Sequence, residues 1–256
     1  MSLVLLERPE DGIAVIRMNR PDAMNALNNA TREELAEHFQ EAMNDDGVRV
    51  IVVTGNEKVF VAGADLKEFA ERTTAEWAFS DARRTWRIIN SCQKPIVAAV
   101  NGFALGGGCE LALHCDIIVA GEGAKMGLPE VGVGVIPGGS GTQRLTRAVG
   151  KYKALKMMLT AEFVSGQEAC DMGLASECMP DAEVFERAMA IARKIAKMPP
   201  LGVRLIKEVT LAGMDASLET GMLLERKAFE ILFSTEDQKE GAKAFIEKRK
   251  PEFKGK

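Results

Sequence analysis

Residues 94–120 read KPIVAAVNGFALGGGCELALHCDIIVA, and the succession of segments in this stretch decides the architecture. PIVAAVNG is an apolar run of strand length closed by Asn-Gly, and CDIIVA is a second apolar run of the same kind. Between them CELALHC reads as a helix that begins behind three consecutive glycines, Gly106, Gly107 and Gly108. Strand, helix and strand with unbroken apolar strands indicate parallel pairing in an α/β protein, because such strands are covered on both faces.

The flanking sequence extends the pattern. LVLLER and IAVIRM enclose PEDG as two strands around a turn, and VRVIVVTG is another buried strand. ATREELAEHFQEAMNDD is an amphipathic helix with Thr31 and Glu34 spaced as a capping box, and Ser165 and Glu168 repeat that spacing before QEACDMG. TAEWAFSDARRTWRIINSC reads as helical, and KMG as a short strand. From Asp181 the pattern is helical almost throughout. DAEVFERAMAIARKIAKM stops at Pro199-Pro200, and three more helical patterns follow, the last opening at Thr235 and Gln238. The sequence therefore predicts an α/β core over residues 1–195 and a helical segment over 196–256. With few partners in its own chain, that segment is expected to cover the core or another subunit.

The totals exclude several classes. The chain is 46% hydrophobic and 27% charged, with a formal net charge of −4. That balance opposes a nucleic-acid surface, the basic EKRKPEFKGK at the C-terminus being the exception. No apolar run reaches the roughly 18 residues of a membrane helix. MSLVLLERPEDG lacks a basic stretch followed by a long apolar one, so no secretory leader is expected. Five cysteines without a C-x-x-C pair fit reduced thiols in a cytoplasmic-type compartment, and a processed organelle protein would read the same.

Three stretches carry chemistry. Glycines at a helix start leave unpaired N–H donors at the positive end of the helix dipole, a setting for an anion or for an oxyanion formed during a reaction. Phosphate-binding versions are absent: there is no G-x-G-x-x-G and no P-loop Lys-Ser/Thr. Glu110, one helical turn past Gly107, stands among apolar neighbours, and a buried carboxylate is a candidate acid or base. Glu130 follows Pro129 and precedes the glycine-rich VGVGVIPGGSGT, and FVAGADLKEF offers another free N–H near Gly63, Ala64 and Asp65. Taken singly these have plainer readings: a tight turn, an exposed helix glutamate, a solvated loop glutamate. His38 and His114 lie in helical patterns without metal-ligand spacing, so no metal site is expected, and no G-x-S-x-G elbow occurs.

Together NRPDAMNALN (19–28), FVAGADLKEF (60–69), residues 94–120, GLPEVGVGVIPGGSGTQRLTRAVG (127–150) and the C-terminal EGAKAFIEKRKPEFKGK resemble the enoyl-CoA hydratase/isomerase (crotonase) family over nearly the whole chain. The resemblance implies a spiral of repeated ββα units with a helical C-terminal trimerisation segment, and a homo-oligomer that is a trimer or a dimer of trimers. It implies acyl-CoA thioester substrates, neither a metal nor a redox cofactor, and coenzyme A entering as part of the substrate. Matched onto this chain, the oxyanion hole is formed by the N–H groups of Ala64 and Gly107, and the catalytic carboxylates are Glu110 and Glu130. Gly138 helps to hold the water. Ala26, Ala62, Gly63, Asp65, Leu66 and Lys67 form the CoA-binding edge, with Phe245 and Lys248 helping to enclose CoA from the C-terminal end, from the same or a neighbouring subunit. Having both glutamates favours hydration of a trans-2-enoyl-CoA in fatty-acid or aromatic-acid breakdown. An isomerase, a specialised hydroxyacyl-CoA dehydratase and a non-catalytic acyl-CoA-binding protein are the alternatives. Ser140, where many hydratases have Ala or Gly, and Leu128, where a polar residue is sometimes found, bear on acyl preference.

Overall fold

The computed structural model describes residues 2–70, 72–79 and 83–256. Strands β1 (Val4–Glu10) and β2 (Gly12–Met18) form an antiparallel hairpin, and helix α1 (Asn29–Asn44) leads on to β3 (Val48–Thr54) and the short β4 (Val59–Val61). Helices α2 (Leu66–Phe69), α3 (Thr74–Phe79) and α4 (Arg84–Asn90) precede β5 (Ile96–Val100), β6 (Phe103–Leu105) and α5 (Gly107–His114). Next come β7 (Ile117–Gly121), β8 (Lys125–Gly127), α6 (Gly141–Val149), α7 (Lys151–Thr160), β9 (Val164–Ser165), α8 (Gly166–Asp171) and β10 (Glu177–Met179). Helices α9 (Val184–Ala196), α10 (Pro200–Met214), α11 (Leu218–Leu232) and α12 (Glu236–Ile246) complete the described chain.

The strands form two sheets, one in the order β1-β2-β3-β5-β7-β10 and the other in the order β4-β6-β8-β9. Three successive units each give a longer strand to the first sheet, a short strand to the second, and then helix. In the first sheet β3, β5 and β7 are parallel neighbours; in the second so are β4, β6 and β8. This repeated ββα step is the predicted spiral.

Burial explains the unbroken apolar strands. Ile13, Val15, Val50, Val52, Val97, Ala99 and Val119 face one way and pack on Val184, Ala188, Met189 and Ala192 of α9. The alternate residues, among them Ile16, Ile51, Val53, Ile96, Ala98 and Ile118, face the larger core with Leu35 and Phe39 of α1 and Leu111 of α5. Both faces of the central strands β3, β5 and β7 are therefore covered.

Two local expectations are corrected. The α1 cap is Asn28, whose Oδ1 accepts from the Thr31 N–H (2.8 Å) and hydroxyl (2.6 Å). Glu34 is not its capping partner: its carboxylate accepts from the N–H groups of Leu3 and Val4 and from the Ser2 hydroxyl, pinning the N-terminus to the helix. The single helical pattern over 74–92 is two helices, α3 and α4, with residues 80–82 outside the described chain. The capping box of Ser165 and Glu168 and the Thr235 cap are present as expected.

The C-terminal helices are tied to the core at few points. Lys207 on α10 donates to Asp116 (2.8 Å) and to the Lys94 carbonyl (2.9 Å). Arg49 on β3 donates to the carbonyls of Ala196 and Phe253, and Asp237 accepts from the N–H groups of Lys254 and Gly255. Large apolar side chains stay exposed on this segment, including Ile206, Leu218, Met222, Phe229 and Phe245. Among the described residues no helix is long and apolar enough to cross a membrane.

Candidate active site

The site lies just beyond the C-terminal ends of three adjacent strands of the second sheet. Ala64 follows β4, Gly107 follows β6, and Glu130 follows β8. Strand ends of this kind leave backbone groups past the last ladder bond, which is where parallel sheets present ligand sites.

The three glycines do different work. Gly106 has φ +51°, a backbone conformation that side chains resist, and its carbonyl accepts from the Glu110 N–H (2.9 Å), so it turns the chain from β6 into α5. Gly107 is the first helical residue, so its N–H has no partner within the helix. A β-carbon built there would sit 3.9 Å from the Ala64 nitrogen and 3.2 Å from Leu27 Cδ1, inside the mouth between the two donors. Gly108 is a packing glycine: a β-carbon would collide with the Val61 carbonyl. The Leu27 N–H donates to the Gly63 carbonyl, and the Asp65 N–H donates to the Leu27 carbonyl. The Ala64 N–H between them is left without an acceptor among the described residues. Two free N–H groups thus stand side by side.

Glu110 is buried on α5, 3% exposed. Its Oε1 accepts from the N–H groups of Gly139 (2.6 Å) and Gly141 (2.8 Å). Burial pushes its pKa up; those two donors and the charge of Arg32 pull it back. Glu130 opens a 3-10 turn after Pro129, and its Oε1 would lie 3.2 Å from a Gly106 β-carbon. Its Oε2 is shielded from solvent with no hydrogen-bond partner. Burial, and then the charge of Glu110, push the Glu130 pKa up to about 7. The two carboxylates are thus close enough to titrate against each other, one well supplied with donors and the other not. Of the two, Glu130 is the one without a donor from another residue to offset burial.

Sequence reasoning missed the donors to Glu110. Gly138 is exposed and its N–H carries no hydrogen bond among the described residues, whereas Gly139 and Gly141 hold the carboxylate. The run PGGSG before a helix was the available signal, since it supplies several backbone donors in a small space. Trp86 on α4 closes over Gly139, where a β-carbon would meet its ring at 2.7 Å, and stacks on His114 at 4.9 Å. His114 is structural: its Nδ1 meets the Glu110 carbonyl (2.7 Å), and burial, then Arg144, hold its pKa down to about 4. His38 meets the Val4 carbonyl.

The predicted CoA edge divides. Ala26, Ala62 and Gly63 flank the two donors through the 24–27 and 62–65 backbone, where the Ala62 N–H donates to the Met24 carbonyl. Asp65 is engaged as the α2 cap, accepting from the Lys67 N–H, and in a 2.7 Å ion pair with Arg20, which also donates to the Ala26 carbonyl. Arg20 was not anticipated. Leu66 and Lys67 are exposed. Phe245 and Lys248, at and just beyond the end of α12, are exposed and share no hydrogen bond or ion pair with residues 62–67 among the described residues.

Chemically, the site offers two neighbouring backbone donors for an oxygen gaining negative charge, and two carboxylates in different settings beside it, one supplied with donors and one not. A model of the enoyl-CoA hydratase/isomerase family matches residues 8–256. The chain is 43% identical to 2,3-dehydroadipyl-CoA hydratase of Escherichia coli over 255 residues, all of each chain. It is 44% identical to the short-chain-enoyl-CoA hydratase of Clostridium acetobutylicum, over 97% of this chain and 96% of that one. The crystal structure of enoyl-CoA hydratase from Bacillus anthracis superposes with a TM-score of 0.95 at 38% identity, covering 99% of this chain and 100% of that one.

Proposed function

The chain belongs to the enoyl-CoA hydratase/isomerase family, and on that premise we propose that it is an enoyl-CoA hydratase, adding water reversibly across a trans-2-enoyl thioester to give a 3-hydroxyacyl-CoA. The observation that carries this reading is the pairing of Glu110 and Glu130, one donor-rich and one orphaned, beside the free N–H groups of Ala64 and Gly107.

Conjugate addition puts negative charge on the thioester oxygen. Two backbone donors fixed before the reaction stabilise that charge, each by about 3 kcal/mol as in other oxyanion holes. Glu110, held toward its ionised form by Gly139, Gly141 and Arg32, takes the proton of the attacking water as its oxygen bonds to C3. Glu130, protonated up to about pH 7, delivers its proton to C2. The electron pair of the C2=C3 bond passes into the enolate and returns to form the C2–H bond. One proton is taken up and one released, so the sum is water added. The chain's own groups suffice for these steps, and coenzyme A enters with the substrate. Isomerisation needs one carboxylate to shuttle a proton, so a second carboxylate at the same mouth favours hydration.

A homo-oligomer is part of the proposal. The apolar residues exposed on α10, α11 and α12, and a cavity of about 910 Å³ between α10 and the core, support a second copy covering this segment. The relatives' names span short-chain and dicarboxylic acyl groups, which leaves the acyl group to be assigned.

Hydration is tested by following the decay of the enoyl absorbance of crotonyl-CoA. Glu110→Gln keeps the shape but loses the base, and a fall of roughly 10³-fold in kcat is expected. An unchanged rate in Glu110→Gln and Glu130→Gln alike would remove both assignments.

A further inference from the structure

A second polar cluster lies beyond the glutamates, and it enters the steps above only through the charge of Arg32 on Glu110. Arg32, in the first turns of α1, and Arg72, just past α2, both stand over the ring of Trp77 on α3, their guanidinium carbons 5.9 and 5.3 Å from its centroid. Phe69 meets the same ring edge-on at 5.3 Å. The Nε of Arg32 and one terminal nitrogen of Arg72 are shielded from solvent without a hydrogen-bond partner among the described residues.

Among the described residues, charge is unbalanced there. Glu68 is 4.0 Å from Arg72 and is otherwise occupied with the Asn29 N–H, while Glu110 is committed to two backbone donors. Burial, and then the charge of Arg72, hold the Arg32 pKa below the usual arginine range. A shielded guanidinium with an unmet donor beside a like charge is costly, and the arrangement is relieved by an anion that meets both.

Position says which anion. Leu27, just before α1, pairs with residues 63–65 and touches the Gly107 mouth. The Thr85 hydroxyl donates to the Arg32 carbonyl (3.0 Å), and the next residue, Trp86, covers Gly139, a donor to Glu110. Arg32 is thus near enough to Glu110 for the two charges to act on each other, and the cluster continues onto α2 through Arg72 and Glu68.

We infer that Arg32 and Arg72 form a subsite for a carboxylate at the far end of the acyl chain, so that the preferred substrate is a short dicarboxylic 2-enoyl thioester. The planar guanidinium fork suits bidentate carboxylate recognition. This rests on the hydratase reading for the identity of the reaction but not for the identity of the ligand.

The matched probes are 2,3-dehydroadipyl-CoA and trans-2-hexenoyl-CoA, which share six acyl carbons and the CoA portion and differ at the terminal carboxylate. The wild type is expected to favour the dicarboxylic probe at least about 10-fold in kcat/KM, and Arg32→Met or Arg72→Met to reduce that ratio roughly 30-fold, with Arg32→Lys keeping part of it. A wild-type preference for the neutral probe, or equal losses on both probes in the variants, overturns the subsite. Equal losses would assign the arginines to CoA phosphate or to Glu110 alone. Calorimetric binding of adipyl-CoA against hexanoyl-CoA to the wild type separates the two readings. Tighter adipyl-CoA binding in a protein that hydrates neither probe supports the subsite and sinks the hydratase; equal binding sinks the subsite whatever the turnover.

Discussion

Glu130→Gln should make the protein more stable and less active at once, and the pH dependence of the gain identifies its cause. Glu130 is half-buried, its Oε2 has no partner, and its pKa is pushed up to about 7 from the ordinary glutamate range near 4.5. A group whose folded pKa lies above its unfolded one binds its proton more tightly in the fold. Its favourable contribution is complete below about pH 4.5 and is lost as pH rises through about 7. At 1.36 kcal/mol per pH unit the full displacement is about 3 kcal/mol. Solvent access to a half-buried group reduces that to about 1–2 kcal/mol. The amide carries no charge, so the variant and wild type should unfold alike at pH 4, below both pKa values. At pH 8.5 the variant should lead by about 2–6 °C in Tm for a chain of this size. Thermal unfolding by circular dichroism across that range gives the difference, and crotonyl-CoA hydration at pH 6.5 should fall by about 10²-fold or more with loss of the acid. In the wild type, kcat/KM should decline above about pH 7 as Glu130 ionises. A stability gain that does not vary with pH, or none at all, would refute the reasoning that a desolvated charge at Glu130 is maintained for the reaction.

Adjacent glycines should respond in opposite ways. Gly108→Ala drives a methyl into the Val61 carbonyl and should abolish soluble expression, whereas Gly107→Ala needs only a small shift of the Leu27 tip and should fold, with kcat/KM down roughly 10²-fold as the thioester is displaced from one donor; circular dichroism and the hydration assay on both variants decide this. Ser140 holds φ +80°, and its hydroxyl accepts from Arg144 and meets His114 at 3.4 Å. Both Ser140→Ala and Ser140→Gly lose the hydroxyl contacts but only Ser140→Ala keeps the strain, so it should be less stable than Ser140→Gly by about 1 kcal/mol in urea titrations.

Much of this was legible because the physics was local. β3, β5 and β7 read as continuous apolar runs since α9 covers one face and α1 and α5 the other. Ser165 and Glu168 announce α8 because both halves of the cap lie within one turn. Glu34 misled, since its spacing from Thr31 fits a box while its partners are the distant residues 2–4. The site divides along the same line. Gly107 and Glu110 are fixed by one helix start and could be read directly. The Arg20–Asp65 pair joins residues 45 apart, and Arg32 meets Arg72 only across Trp77, so no spacing rule reaches them.

The three positions proposed for function, Ala64, Gly107 and Glu130, each follow neighbouring strands β4, β6 and β8, whose separation is set by ladder hydrogen bonds at about 4.8 Å. The sheet is therefore a ruler. Distances between the donors, and from them to the second carboxylate, are graduated in strand spacings that no side-chain exchange can rescale. Mutations in the acyl pocket can redraw what is held there without disturbing the gauge against which the thioester is aligned. A scaffold so calibrated is free to change its cargo while keeping its chemistry in register.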